Sequence, residues 1–138
     1  MIKNKIGKID ISELNVPPEK HEYETARYFA KRGFDVRFIG PHYNLGVKNA
    51  DFVMDNKIWE VKSPIGSSER TYEDNLRKAI KQSENVIFDL RRLKYVDEIK
   101  CLRVLDRYKK LTDLKNLLII KKDGRLLTEK GYFAIMET

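Results

Sequence analysis

The sequence predicts an α/β fold, a three-layer α/β/α sandwich in which helices cover both faces of a mixed central sheet. Two observations lead to this prediction. Apolar residues alternate with polar ones in some segments and recur at helical spacing in others, and the two kinds of segment alternate along the chain. The 138 residues, 41% of them hydrophobic, suffice for one packed core. We therefore expect a single domain over residues 1–138, with residues 1–18 as an N-terminal extension.

The first half of the chain predicts one helix and three short strands. The helix follows Pro17-Pro18 and ends near Gly33, because the residue after a helix end often needs a positive φ. The last two strands flank Asp55-Asn56, a pair that is typical of a tight hairpin turn. The predicted elements are a helix over residues 19–32 and strands over residues 34–39, 50–54 and 58–61.

The second half predicts two more helices, a central strand and a closing strand or hairpin around Asp123-Gly124. Thr71 has the side chain of an N-cap and is expected to start the first of these helices. The central strand is continuously apolar, the kind that is buried on both faces. The predicted elements are helices over residues 71–83 and 97–111 and strands over residues 86–90, 116–120 and 126–127. The inward residues are Tyr72, Leu76, Ala79 and Ile80 in one helix and Ile99, Leu102, Leu105 and Tyr108 in the other.

The charge balance favours a polyanionic partner. Lysine and arginine outnumber aspartate and glutamate by 28 to 21, a formal net charge of +7, which suits nucleic acid. Solvated helix faces that keep a protein soluble give the same composition. The single cysteine, Cys101, excludes an internal disulfide and a metal site of several thiolates. No apolar run is long enough to span a membrane and no secretion signal is visible, so we expect a cytoplasmic location and no membrane partner.

Asp51, Glu60 and Lys62 have the residue types of a catalytic site. Side chains alternate along a strand, so Glu60 and Lys62 share one face, about 7 Å apart along the backbone. Asp51 starts the preceding strand, and pairing of the two strands would bring its carboxylate beside that of Glu60. Neighbouring carboxylates repel each other, and a bound Mg²⁺ or Mn²⁺, with Zn²⁺ as an alternative, relieves the repulsion. An ordinary surface ion pair is the alternative interpretation of Glu60 and Lys62.

Phosphodiester hydrolysis requires such a set. The metal lowers the pKa of a bound water and neutralises charge on the phosphate, and Lys62 can orient the attacking water or stabilise the pentavalent phosphorus. Glu22 is the fourth candidate, because it lies on the apolar stripe of the first helix with Ala26 and Phe29 and is expected to point towards the sheet. An acid that simply favours the helix dipole in the first turn is the alternative for Glu22.

These residues resemble the active site of the PD-(D/E)xK nucleases, the fold shared by type II restriction enzymes and archaeal Holliday-junction resolvases. Asp51 and the tripeptide Glu60-Val61-Lys62 match the core motif, with Ala50 where the motif has proline. The helix that carries Glu22 resembles the resolvase opening, in which the helix acid assists the metal site. The resemblance implies a restriction-endonuclease-like fold.

A second resemblance extends over residues 21–124. The chain is similar to the CdiA C-terminal tRNA nuclease family, the toxins of contact-dependent growth inhibition systems. The strings that carry it are residues 46–51 (GVKNAD), 59–64 (WEVKSP), 75–79 (NLRKA), 82–83 (QS) and 89–92 (DLRR). The resemblance implies a metal-dependent RNase that cuts tRNA in the cytoplasm of a target cell and that a cognate immunity protein neutralises.

Six further residues are candidates for binding the substrate. Three of them lie on one line of the second helix, two are arginines whose guanidinium groups bind phosphate through two donors, and one is the serine that follows Lys62. The alternative interpretation of each of them is an ordinary residue at the boundary of the core or on the surface. The six are Ser63, Arg70, Asn75, Lys78, Gln82 and Arg91.

The leading hypothesis is a metal-dependent endonuclease, with tRNA favoured as substrate by the family resemblance. A DNA endonuclease or junction resolvase would use the same residues, because one fold hosts several activities. A non-catalytic nucleic-acid-binding domain is the third hypothesis. It is disfavoured by the full set of acids, since a pure binder gains from losing negative charge near phosphate.

Overall fold

The computed structural model describes residues 5–40 and 50–130, which form three helices and seven strands. The chain divides into two compact units, residues 1–59 and residues 60–138. The elements are β1 (Ile9–Asp10), α1 (Lys20–Ala30), β2 (Val36–Phe38), β3 (Phe52–Met54), β4 (Lys57–Lys62), α2 (Glu69–Gln82), β5 (Asn85–Asp89), α3 (Tyr95–Tyr108), β6 (Asn116–Ile120) and β7 (Leu126–Lys130). Strand pairs of both directions occur, which confirms the predicted α/β class and mixed sheet.

In the first unit, β1 runs parallel to β2, and β2, β3 and the first half of β4 are antiparallel neighbours. Alternation buries Val36 and Phe38 and leaves the side chain between them exposed, as predicted for this strand. The helix α1 buries Phe29 completely. The chain turns out of α1 at Gly33, which has the expected positive φ, 96°, and whose N–H donates to the Ala30 carbonyl at 2.9 Å.

The β3–β4 hairpin turns at Asp55 and Asn56, whose φ angles are 53° and 59°. Positive φ at both central residues characterises the type I′ turn, whose twist fits a two-residue hairpin. Phe52 pairs with Trp59, and the buried indole of Trp59 donates its N–H to the Met54 carbonyl at 2.9 Å. The predicted hairpin is therefore confirmed, with its register fixed on both sides of the turn.

In the second unit, residues 60–62 of β4 run parallel to β5, β5 runs parallel to β6, and β6 is antiparallel to β7. Parallel neighbours require crossover connections, and α2 and α3 supply them. All five residues of β5 are buried, as its apolar sequence predicts. The core of this unit includes Tyr72, Leu76 and Ala79 of α2, Val86 and Phe88 of β5, Cys101, Val104 and Leu105 of α3, and Leu117 and Ile119 of β6.

The predicted N-cap of α2, Thr71, is wrong. The helix begins at Glu69, and Ser68 is its N-cap, because the Ser68 hydroxyl accepts a hydrogen bond from the Thr71 backbone N–H at 3.2 Å. A cap side chain reaches an N–H of the first turn, so the correct cap lies three residues before the one predicted.

The predicted inward face of α3 is also partly wrong. Ile99 is 58% exposed, whereas Cys101, Val104 and Leu105 are fully buried at the spacing of a helical stripe. Ile99 is as apolar as Val104, so hydrophobicity alone did not distinguish the two faces. None of the helices in the described part of the chain is long and apolar enough to cross a membrane.

The residues predicted as an N-terminal extension contribute the strand β1. The sequence did not predict this strand, because the isoleucines of this segment are irregularly spaced. Ile9 and Asp10 pair with Val36 and Arg37 in parallel. The backbone at position 7 lies so close to the backbone of Phe34 that only glycine fits, because a Cβ there would lie 1.9 Å from the Phe34 carbonyl oxygen.

Candidate active site

Glu22 lies in the first turn of α1, and its side chain is half-buried. It precedes Ala26 by one turn, and Ala26 and Phe29 are fully buried on the same stripe, as the sequence pattern predicts. Burial raises the pKa of the Glu22 carboxyl, and the neighbouring carboxylate of Asp51 raises it further. The structure therefore brings Glu22 and Asp51 of the first unit within electrostatic range of each other.

The backbone of Asp51 is fixed on both sides. Its N–H donates to the Trp59 carbonyl at 2.9 Å, and its carbonyl accepts from the Ile39 N–H at 3.0 Å. Asp51 thus continues the hydrogen bonding of β3 with β4 on one side and β2 on the other, although it precedes the first residue of β3. A backbone held in this way gives the carboxylate a defined starting position.

An acidic pair of this kind favours a bound cation. Two carboxylates that repel each other retain a proton on one of them or share a positive ion. Mg²⁺ and Mn²⁺ prefer oxygen ligands, and Mg²⁺ commonly takes one or two carboxylates and completes its shell with water and substrate phosphate. The carboxylate oxygens of Glu22 and Asp51 are of the ligand type that such an ion takes.

Glu60 and Lys62 lie on one side of β4 in the second unit, as strand alternation predicts. The Lys62 ammonium nitrogen is 3.5 Å from Glu60 Oε2, and Glu60 is only 7% exposed. In the parallel pairing with β5, Glu60 lies beside Val86 and Lys62 beside Phe88. A buried carboxylate against an ammonium group is not the exposed surface pair that was the alternative interpretation of these two residues.

Ser63 follows β4 and is held through its backbone. Arg92 donates a guanidinium hydrogen bond to the Ser63 carbonyl. The Ser63 hydroxyl oxygen is buried, and no hydrogen-bond partner for it lies among residues 5–40 and 50–130. A polar group in this position is one that a bound ligand or water would satisfy.

Arg91, predicted to bind phosphate, makes a two-pronged ion pair with Asp89 at the end of β5. Arg91 Nε lies 2.9 Å from Asp89 Oδ1, and a terminal guanidinium nitrogen lies 2.8 Å from Oδ2. Asp89 is 4% exposed and also accepts the Arg91 backbone N–H at 3.2 Å. Sequence reasoning gave Asp89 no role, although its position two residues before an arginine at a strand end was visible.

The other four candidate binding residues lie on or near the surface of the second unit. Lys78 and Arg70 are exposed on α2, and Asn75 and Gln82 are half-buried beside its buried stripe. Asn75, Lys78 and Gln82 therefore all lie on α2, with Asn75 and Gln82 at the boundary between core and solvent and Lys78 exposed.

Among the described residues, no group of three or more histidine, cysteine, aspartate or glutamate side chains is close enough together to hold a metal ion. Burial, with a smaller effect of Glu98, raises the pKa of the Cys101 thiol to about 12, which disfavours the thiolate form that binds metals.

Comparisons with known proteins relate this chain to a toxin family. The profile of a family described as "Contact-dependent growth inhibition CdiA C-terminal domain" matches residues 48–126, more than half of the chain. No curated protein matches. The matched segment includes residues 48–51 of the string at 46–51, and residues 46–49 of that string lie outside those that the structure describes.

A solved structure of a CdiA-CT/CdiI toxin and immunity complex from Burkholderia pseudomallei contains a similar chain. The TM-score is 0.63 at 19% sequence identity, and the match covers 90% of this chain and 99% of that one. At this identity the likeness shows the fold alone.

Proposed function

Because the chain belongs to the contact-dependent growth inhibition CdiA C-terminal domain family, whose toxin domains are typically nucleases, we propose that it is a metal-dependent endonuclease. Its substrate is tRNA, and the bond it hydrolyses is a phosphodiester. The observation that carries the proposal is the half-buried Glu22 carboxyl beside the Asp51 carboxylate. A fold gains no stability from such a pair, so its presence is best explained by a cation that both acids bind.

Glu22 and Asp51 of the first unit are the residues that would hold the metal. The PD-(D/E)xK pattern of the sequence also implied Glu60 as a ligand, but no three such side chains among the described residues form a group that could hold an ion. When bound, Mg²⁺ or Mn²⁺, or alternatively Zn²⁺, supplies a water of lowered pKa and neutralises charge on the phosphate. The carboxylates of Glu22 and Asp51 are both half-buried, which strengthens their interaction with a cation.

Lys62 is the catalytic cation of the proposal. Its ammonium group lies 3.5 Å from the Glu60 carboxylate, which restricts where the flexible lysine side chain can go. From this position Lys62 orients the attacking water or donates to a non-bridging phosphate oxygen as negative charge grows on it. Donors fixed before the reaction stabilise a transition state more than mobile ones.

The net charge of +7 and the six binding residues support nucleic acid as the substrate. Ser63 and Arg91 lie after the carboxyl ends of β4 and β5, where ligands of α/β proteins commonly bind. Arg70, Lys78, Asn75 and Gln82 offer further donors on α2. The choice of tRNA over DNA rests on the family resemblance.

A cognate immunity protein is the proposed protein partner. The similar chain from Burkholderia pseudomallei was solved in a toxin and immunity complex. A toxin with an excess of seven positive charges is complemented by an acidic inhibitor. The proposed place of action is the cytoplasm of a target cell.

A digest of two substrates tests the proposal. Total tRNA and supercoiled plasmid are incubated separately with the purified chain and Mg²⁺, Mn²⁺ or Zn²⁺, with a chelator control. We expect discrete tRNA fragments with metal, intact tRNA with chelator and intact plasmid. Asp51→Asn should lose the activity, whereas Asp74→Asn, the same change at an exposed position of α2, should retain it. Cleavage that survives the chelator, or that Asp51→Asn leaves intact, would contradict the proposal.

A further inference from the structure

Three arginines of α2 and α3 converge around two glutamates on the outer side of these helices. Arg103 and Arg107 both approach Glu69, with nitrogen–oxygen distances of 3.6 Å and 3.3 Å. Each arginine contacts a different carboxylate oxygen of Glu69, so the single carboxylate lies between two guanidinium groups. Arg77 pairs with Glu73 at 2.9 Å.

Tyr108 links the two halves of this cluster. The guanidinium carbons of Arg77 and Arg107 lie 5.3 Å and 5.8 Å from the centre of its ring, within the range of cation–π contacts. Guanidinium groups that are already positioned against a ring lose less conformational freedom when they bind an anion. We call Glu69, Glu73, Arg77, Arg103, Arg107 and Tyr108 the arginine cluster.

The ion pairs of the arginine cluster are easily exchanged. The side chains of Arg77, Arg103 and Arg107 are 48%, 59% and 50% exposed, and Glu69 is 39% exposed. Exposed ion pairs contribute only about 0–1 kcal/mol, so an external anion can replace the carboxylate between the two arginines at little cost. Two guanidinium groups that converge on one carboxylate provide the donors that a phosphate needs.

We propose that the arginine cluster binds the phosphodiester backbone of nucleic acid, with a phosphate taking the place that Glu69 occupies between Arg103 and Arg107. The cluster contains none of the candidate catalytic or substrate-binding residues named above, so it is an additional binding surface. The proposed binding of nucleic acid does not depend on the proposed function. Only the statement that the bound nucleic acid is also the substrate of the enzyme rests on it. Phosphate contacts carry no sequence information, so this surface adds affinity rather than specificity.

Glu69 distinguishes this proposal from simple charge attraction. Glu69→Gln removes the internal competitor, so we expect it to tighten RNA binding about fivefold, more than the general effect of one added positive charge. The matched control is Asp123→Asn. Asp123 forms an exposed ion pair with Arg125 on the β6–β7 turn, so this change also removes one negative charge from an exposed pair. Binding is measured by fluorescence anisotropy with a labelled RNA hairpin, in chelator so that no cleavage occurs.

The arginines provide the opposite test. The double variant Arg103→Gln and Arg107→Gln should weaken binding about tenfold at 0.1 M salt and reduce the slope of log affinity against log salt by about 1.5. Arg125→Gln, a change at an exposed arginine outside the cluster, should reduce the slope by less than half as much. Circular dichroism checks that all variants are folded.

Three outcomes would overturn the inference. One is equal tightening by Glu69→Gln and Asp123→Asn, and another is an unchanged salt slope in the double arginine variant. The third is competition by polyglutamate as strong as that by unlabelled RNA of equal charge, which would indicate a surface for an acidic protein. The proposed cleavage is measured separately with Mg²⁺, so binding through the cluster can fail while cleavage persists, and the reverse.

Discussion

At the scale of single residues, Glu22 carries a stability cost that the proposed metal site would explain. Its carboxyl is half-buried and lies within electrostatic range of Asp51, and both effects disfavour its charged form. A neutral glutamine of nearly the same shape would avoid both penalties. The retention of an acid at such a position is typical of a site that binds a cation or moves a proton.

Replacing Glu22 therefore has a predictable pH dependence. The raised pKa means that the folded state binds more protons than the unfolded state between the two pKa values, so stability falls as pH rises through that window. Glu22→Gln removes this pH-dependent loss of stability, because glutamine does not ionise. In chelator, we expect Glu22→Gln to be more stable than the parent by about 0.5 kcal/mol at pH 7.5 and no more stable at pH 3.5, after allowance for solvent screening.

Urea unfolding at the two pH values measures this effect, and Glu24→Gln is the control. Glu24 lies two residues away and pairs with Arg27 at 3.4 Å, so its replacement should give no stabilisation at pH 7.5. Equal destabilisation by the two variants at pH 7.5 would show that Glu22 is an ordinary surface acid.

Periodicity predicted some of the residue placements and could not predict others. The positions of Glu22 on the buried stripe and of Glu60 and Lys62 on one side of a strand follow from helix and strand repeats. The ion pair of Asp89 with Arg91 does not follow from such repeats, because it depends on how the chain turns after β5. No local repeat describes such a turn.

At the scale of elements, the ends of the helices depend on single hydrogen bonds. Ser68 and Thr71 are both cap-forming residues, and the sequence does not decide between them. The structure does, since Ser68 Oγ accepts the Thr71 N–H and Thr71 is itself helical. Strand β1 also depends on a single contact, that of Gly7 with the backbone of Phe34. These two residues are distant in sequence, so the sequence pattern does not reveal the contact.

The cap assignment predicts different costs for two alanine substitutions. Ser68→Ala removes the side-chain acceptor and should destabilise the chain by about 1 kcal/mol. Thr71→Ala removes only a hydroxyl contact to Ser68 at 3.1 Å and introduces a better helix former, so its cost should be below about 0.5 kcal/mol. Chemical denaturation followed by circular dichroism compares the two, and a larger cost for Thr71→Ala would reverse the assignment.

At the scale of the whole molecule, composition favours a polyanionic partner but does not locate the surface that would bind it. The net charge of +7 is a property of the sequence, whereas its distribution depends on ion pairs between distant residues. Arg107 and Glu69, for example, are 38 positions apart. The α/β class was predictable because apolar periods are local, and the pairing of helices α2 and α3 that creates the arginine cluster was not.

The rate of tRNA cleavage by Lys62→Ala tests the central claim most directly. Lys62 lies at the end of β4 with its ammonium group beside Glu60, where the account places the catalytic cation. We expect single-turnover cleavage in Mg²⁺ to fall about 100-fold or more, the usual loss on removing one fixed donor to a developing charge. Lys115→Ala, at an exposed position before β6, should cleave at the parent rate. A folded Lys62→Ala variant that cleaves as fast as Lys115→Ala would contradict the account.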